Sequence, residues 1–343
     1  MGYNLSFNEV NTLFEELKKD YKIYAPKRFE KQGRYSDTDI IRYDEVSSIE
    51  EIEFKEKSDY PAKEVITPIS QTLYYFTEDE FIESSIGHNK KILIFARPCD
   101  INAQRRQDMI YLKNGNFEDT FYKRIRERVK FICIECVDGF DTCFCTSMNS
   151  NKTEDYALAV RVNEDSLLFN VKDTEFDNYF TGKNTEEFEL QFIESNKTQV
   201  TIPEIKDKET LIKLKEHPMW QEFNKRCIEC GSCTIACSTC CCYTSRDVVY
   251  DPAGKMGERK RVQASCHIDG FDEMAGGHKF RITKADKMRY KVLHKIHDYK
   301  EQFSVEHMCV GCGRCTDRCP EHISITATIN KVNKAVNEIM EGM

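Results

Sequence analysis

Two runs of cysteines near the C-terminus share one spacing. The first lies between Cys227 and Cys237 and the second between Cys309 and Cys319, each in the pattern C-x2-C-x2-C-x3-C. This spacing is typical of cubane iron–sulfur sites, because three thiolates reach three corners of one cluster while the fourth points toward a neighbouring cluster. The sequence therefore predicts two [4Fe-4S] clusters with exchanged fourth ligands. The predicted ligands are Cys227, Cys230, Cys233 and Cys319 for the first cluster, and Cys309, Cys312, Cys315 and Cys237 for the second.

The alternative chemistry for these cysteines is zinc. A structural zinc ion takes four ligands at one tetrahedral centre, usually from two separated C-x2-C pairs, and each run here would leave its middle cysteine over. A zinc-binding regulatory protein remains the second alternative, since the segment Lys255–Lys300 carries twelve Lys or Arg against six Asp or Glu. We interpret that basic segment as either a docking face for an acidic partner or a solvated surface.

A second group of cysteines follows two apolar runs. Cys99 comes after the run Ile92–Ala96, and Cys136 comes after Val129–Ile134. If the two runs form parallel strands, both cysteines meet at the carboxyl edge of a sheet, where α/β sheets hold ligands. A loop with Cys143 and Cys145 could supply two more thiolates. The spacing alone leaves two interpretations open, a third metal site or ordinary buried cysteines.

Five further cysteines receive no ligand assignment. Cys133 lies inside the second apolar run and is expected in the core, and the role of the other four is left open: Cys240, Cys241, Cys242 and Cys266.

Composition limits the class of protein. The chain has 343 residues, 40% hydrophobic and 31% charged, with a net charge of −8, which favours a globular protein of two domains over a general nucleic-acid binder. No secretory signal and no apolar run of membrane-spanning length is found, so we expect a cytoplasmic protein with no membrane association. In that reducing compartment, 17 cysteines point to metal ligands. No dinucleotide-binding or P-loop motif occurs, and we expect no flavin or nucleotide in this chain.

The helices and strands that position these residues are predicted from the spacing of apolar residues and from helix-capping patterns. Ser6 and Glu9 form a capping box ahead of a helix, and two more strands are expected at 157–162 and 167–171. The acidic segment 37–59 is interpreted as a loop and edge strand, and the apolar stripe from Ile325 to Ile339 as a C-terminal helix. The predicted fold class is α+β, with a mixed α/β domain over residues 1–215 and a helical, dicluster ferredoxin-like domain over 216–343.

With these motifs, the chain resembles the β-subunit family of sulfhydrogenases and, within it, the iron–sulfur electron-transfer subunits of anaerobic sulfite reductases. The resemblance covers most of the chain. Besides both cysteine runs, it depends on four segments: Ala96–Asp100, Asp141–Met148, Ser265–Cys266 and Ala275–His278. Two positions depart from the family pattern, with Ser238 in place of an expected proline and Ala264 in place of tryptophan or aspartate.

The resemblance implies a non-catalytic electron relay in an oxidoreductase complex. Its partners would be a flavin subunit that oxidises NAD(P)H and a sirohaem subunit that reduces sulfite to sulfide and binds sulfite itself. It also implies a third [4Fe-4S] cluster at Cys99, Cys136, Cys143 and Cys145. A β subunit of a hydrogenase or sulfur reductase complex is the first alternative function.

Overall fold

The computed structural model describes residues 2–85 and 89–342. Helices and strands are mixed along the chain, and the predicted α+β class is confirmed. The strands in chain order are β1 Gly2–Ser6, β2 Tyr21–Phe29, β3 Ile40–Glu45, β4 Ser70–Phe76, β5 Phe81–Glu83, β6 Lys91–Ala96, β7 Val129–Ile134, β8 Leu158–Val162, β9 Ser166–Val171, β10 Thr185–Glu186, β11 Tyr243–Val249 and β12 Gly257–Gln263. The α-helices are α1 Phe7–Leu17, α2 Lys63–Ile66, α3 Pro98–Leu112, α4 Thr120–Arg126, α5 Lys208–Glu216, α6 Glu222–Arg226, α7 Ser232–Ile235, α8 Lys284–Leu293, α9 Tyr299–Phe303, α10 Arg314–Asp317 and α11 Ile325–Glu341.

The chain forms two compact units that interleave in sequence. The first unit comprises residues 1–138, 151–194 and 245–262, and the second comprises 139–150, 195–244 and 263–343. This division differs from the single boundary expected near residue 215. Strand β12 pairs antiparallel with β4, which draws the segment between the two cysteine runs into the first unit. No helix within residues 2–85 and 89–342 combines the length and apolarity needed to cross a membrane.

The first unit is built on an eight-stranded sheet in the order β10-β1-β9-β8-β7-β6-β2-β3. Its centre is parallel, since β2 pairs with β6, β6 with β7 and β7 with β8 in parallel register. Helix α1 begins at the predicted capping box, where the Ser6 backbone N–H donates to the Glu9 carboxylate at 2.9 Å. Its buried face packs on the sheet, with the rings of Phe14 and Phe95 centred 5.9 Å apart. The acidic segment contains β3, which lies at the sheet edge as expected.

The second unit packs helices around its own apolar core. Trp220 is a fully buried member of this core, and its indole N–H donates to the Leu214 carbonyl at 2.8 Å. Helix α11 presents the predicted stripe to this core, with Ile329, Val332 and Val336 fully buried. The helices on either side of the two cysteine runs pack on this core.

Candidate metal centre

The first cysteine run is a loop that turns into a short helix. Helix α6 ends at Arg226, Cys227 follows it, and α7 begins after Gly231. Gly231 has φ of +73°, a left-handed conformation that favours glycine, and an added Cβ would lie 3.0 Å from the Ile268 side chain. The left-handed backbone between Cys230 and Cys233 therefore favours glycine at this position of the loop.

Cysteines from both runs line one cavity in the second unit. Its wall includes the four predicted ligands of the first cluster. The four are Cys227, Cys230, Cys233 and Cys319.

Backbone donors point at these sulfurs. The Glu229 N–H donates to Cys227 Sγ at 3.4 Å, and the Ile323 N–H donates to Cys319 Sγ at 3.3 Å. Such donors stabilise thiolate charge and are one of the ways in which a protein adjusts a cluster potential. Burial acts in the other direction on the free thiol and raises the pKa of Cys227.

The second run repeats this geometry. Gly313 has φ of +74° and precedes α10, and the Gly311 N–H donates to Cys309 Sγ at 3.4 Å. Burial, with a smaller contribution from the nearby Cys237, raises the pKa of Cys309 to about 12, against the opposing effect of the Gly311 N–H donor. The pKa of Cys315 is raised by burial and then by Cys237.

Cys237 therefore lies close to the second run, while Cys319 lines the cavity of the first. Cys315 also borders that cavity, but its electrostatic neighbours are Cys237, Cys312 and Cys309. Thiols from two sequence runs, with amide donors directed at their sulfurs, suit a thiolate-bound cluster. The ligand assignment itself stays a prediction. Within the described chain, no three side chains of His, Cys, Asp or Glu are grouped so that they could hold a metal ion.

A loop from residues 142–145 packs against the second run. The Phe144 N–H donates to the Gly311 carbonyl at 2.8 Å, and Cys143 Sγ lies 3.7 Å from the Cys312 carbonyl oxygen. A Cβ on Gly311 would lie 2.6 Å from the Phe144 carbonyl, so the loop and the run fit backbone against backbone. Cys145 is fixed on the other side, where its sulfur lies 3.4 Å from Oδ1 of Asn196.

The four cysteines predicted to bind a third cluster are distributed over the two units. Cys99 lies in the first turn of α3, after β6, and Cys136 follows β7, where its carbonyl accepts from the Ile193 N–H at 2.7 Å. Since β6 and β7 are parallel, these two cysteines do lie at neighbouring carboxyl ends. Cys143 and Cys145 belong to the second unit. The four-cysteine site remains a prediction. Cys133 is fully buried in β7, as expected for a core residue.

The cysteines without an assigned role are also close to the sites. Cys240 is buried and hydrogen-bonded to Cys237, and this bond raises the pKa of Cys240. Cys242 shares a hydrogen bond with Cys266, which lowers the pKa of Cys266, and the ring Nδ1 of His267 lies 3.5 Å from Cys266 Sγ. The sequence contained no signal for this pairing.

The basic segment Lys255–Lys300 is in part a buried one, which corrects the expectation of a docking or solvated face. Lys287, Lys291 and Lys295 are only 2%, 5% and 5% exposed. They recur every four residues along α8 and the π-helical turn His294–Asp298 that follows it. In the sequence, the four-residue spacing of these lysines indicates that they share one face of a helix. A count of charges over the whole segment does not show that face.

Comparison with known proteins agrees with this organisation. Residues 226–323 match the family model described as a 4Fe-4S dicluster domain, which indicates that the chain binds [4Fe-4S] clusters. The chain is 27% identical, over 96% of its length and 96% of the relative's, to the protein named Sulfhydrogenase 2 subunit beta of Pyrococcus furiosus. No solved structure matches the chain significantly. The similarity to sulfhydrogenase β subunits that the motifs predicted is thereby confirmed.

Proposed function

We propose that this chain is the electron-transfer subunit of an anaerobic sulfite reductase complex. It would carry electrons from a flavin subunit that oxidises NAD(P)H to a sirohaem subunit that reduces sulfite to sulfide. The observation that carries the proposal is the cavity at which Cys227, Cys230 and Cys233 meet Cys319 from the other cysteine run. Exchanged ligands of this kind hold two clusters close together.

The chain's own residues would do three things in the relay. The cysteines would bind the clusters, which exchange single electrons when bound. The amide groups of Glu229, Gly311 and Ile323 would stabilise the sulfur charge by donating to the ligand sulfurs. The packed loop 142–145 would hold Cys143, a predicted ligand of the third cluster, beside the second run.

The choice of sulfite as the final electron acceptor depends on the resemblance of the motifs to the electron-transfer subunits of anaerobic sulfite reductases. A β subunit of a hydrogenase or sulfur reductase complex is a second candidate, and it is favoured by the 27% identity with a sulfhydrogenase β subunit. The cysteines would serve either complex in the same way.

The two candidates are separated by isolating the native complex under anaerobic conditions. A sirohaem absorbance spectrum in the co-purifying catalytic subunit, with sulfide formed from sulfite and NAD(P)H, supports the proposal. Hydrogen evolution, together with nickel in the catalytic subunit, supports the second candidate. A colourless chain that contains zinc and no iron would contradict both.

The third cluster is tested by metal analysis of the purified chain. About twelve iron and twelve acid-labile sulfide per chain are expected for three cubanes, and about eight for two. Cys99→Ala should lower the iron content by about one cluster. Cys133→Ala is the matched control, since Cys133 is buried in β7 and belongs to no proposed ligand set, and it should leave the iron content unchanged. Equal losses in the two variants would contradict the assignment.

A further inference from the structure

Three buried lysines form a row inside the second unit. Lys287, Lys291 and Lys295 follow one another at every fourth position and are almost completely removed from solvent. A buried ammonium group is strongly disfavoured unless an opposite charge accompanies it, and lysine is rarely buried without a partner. We therefore expect a negatively charged group near each of the three lysines.

Among the residues that the structure describes, Lys287 alone of the three lysines has carboxylate partners. Lys287 contacts the Glu229 carboxylate and lies 3.6 Å from Asp269. Lys291 donates to Thr234 Oγ1 at 3.1 Å, and the nearest partners of Lys295 are also uncharged. In the part of the chain that the structure describes, neither Lys291 nor Lys295 forms an ion pair with a carboxylate.

The hydroxyl partners of these two lysines stand among the predicted ligands. Thr234 directly follows Cys233, and Thr239, which accepts from Lys295 Nζ at 2.9 Å, lies two residues after Cys237. Lys291 itself lines the cavity of the first cluster. The charge that the lysines face is therefore the charge of the cysteine sulfurs.

Electrostatics in the second unit agree with this placement. Burial would lower the pKa of Lys291, but the negative charge of the surrounding thiolates, Cys233 foremost, outweighs burial and raises that pKa well above its ordinary value. The pKa of Lys295 is raised in the same way against burial, with Cys237 as the largest contributor. Both shifts favour the ammonium form of these lysines.

We propose that Lys291 and Lys295 are internal counter-charges for the two clusters, and that they raise the cluster reduction potentials. This inference rests on the clusters of the proposed function. A cubane held by four thiolates carries a net negative charge, and reduction adds one electron without a proton. The added charge stays on the cluster and its sulfurs. A fixed ammonium group nearby stabilises the reduced state more than the oxidised state.

The test is a redox titration of the full-length, anaerobically purified chain, followed by electron paramagnetic resonance. Lys291→Met keeps the length of the side chain and removes the charge. We expect full iron content and at least a tenfold fall in the equilibrium constant for reduction of one cluster, which is about 59 mV for one electron. Lys300→Met is the control, because Lys300 is exposed in the same helical region and faces solvent. It should leave the potentials unchanged.

Each outcome bears on the proposal. A fully loaded Lys291→Met protein with unchanged potentials, or an equal shift in Lys300→Met, overturns it. If Lys291→Met binds less iron, the iron content of Lys291→Arg decides: normal iron supports a need for charge, and low iron in both overturns it. Absence of iron from the unaltered chain would instead remove the proposed function.

Discussion

Exchange of the fourth ligands can be tested with two double variants that remove the same number of cysteines. Cys227→Ala with Cys319→Ala removes two residues that line one cavity. Cys315→Ala with Cys319→Ala removes two residues of one sequence run, but Cys315 has Cys237 and the second run as its electrostatic neighbours. If Cys319 binds the first cluster, the first pair affects one cluster and the second pair affects both.

The expected magnitude follows from four irons and four ligands per cubane. The first pair leaves one site with two of its four ligands, so about four irons should be lost while the other cubane keeps its signal. The second pair leaves each site with three ligands. Iron loss should then lie between about two, if each site retains a three-iron cluster, and about eight, if both clusters are lost. No unaltered cubane should remain in the dicluster domain.

The assay combines iron and sulfide analysis with electron paramagnetic resonance of the dithionite-reduced proteins. Comparison with the unaltered chain removes the uncertainty over a third cluster, because that cluster contributes equally to all samples. The reasoning is refuted if the Cys315 and Cys319 pair leaves one unaltered cubane while the Cys227 and Cys319 pair leaves none. That result would mean that each sequence run binds its own cluster.

Two further predictions concern packing in the second unit. Gly311→Ala should reduce the iron bound at the second cluster and lower the free energy of unfolding by about 2–5 kcal/mol, because left-handed backbone strain adds to steric overlap of the new Cβ with the Phe144 carbonyl. Gly276→Ala is the control, since Gly276 is also left-handed but has open space where a Cβ would lie, and it should lose only about 1–2 kcal/mol. Anaerobic thermal unfolding with iron analysis compares the two, and equal losses would argue against the backbone contact. Trp220→Ala should destabilise the unit by about 3–5 kcal/mol through a cavity and a lost hydrogen bond, whereas Ile212→Ala, 47% exposed, should change stability little. Similar unfolding temperatures for these last two would place Trp220 outside the core.

Local patterns were read from the sequence with success. The helix after Ser6 and the strands β6 and β7 are where periodicity and capping residues predicted them, because each depends on neighbours a few residues away. The match to a dicluster domain likewise follows from short cysteine spacings that one tight loop must satisfy.

The division of the chain into two units could not be predicted from local sequence patterns. Segment 245–262 belongs to the first unit because β12 pairs with β4, about 185 residues earlier in the chain. The loop 139–150 belongs to the second unit because backbone groups of Phe144 and Gly311 fit together. Neither pairing leaves a local signal, since strand partners and backbone contacts are chosen by the tertiary fold.

Helix α8 shows why charge counts mislead about burial. Its apolar positions Ala285, Met288 and Val292 pack into the core around Trp220, as in an ordinary amphipathic helix. The lysine positions between them are buried as well, and Lys291 points toward the cysteines. A helix that buries both faces must satisfy two different environments, one apolar and one negatively charged. The buried lysines have their negatively charged neighbours only when the cysteine sulfurs carry charge. Cluster binding and folding of this unit should therefore be coupled, as they are in other proteins whose metal site contributes to stability.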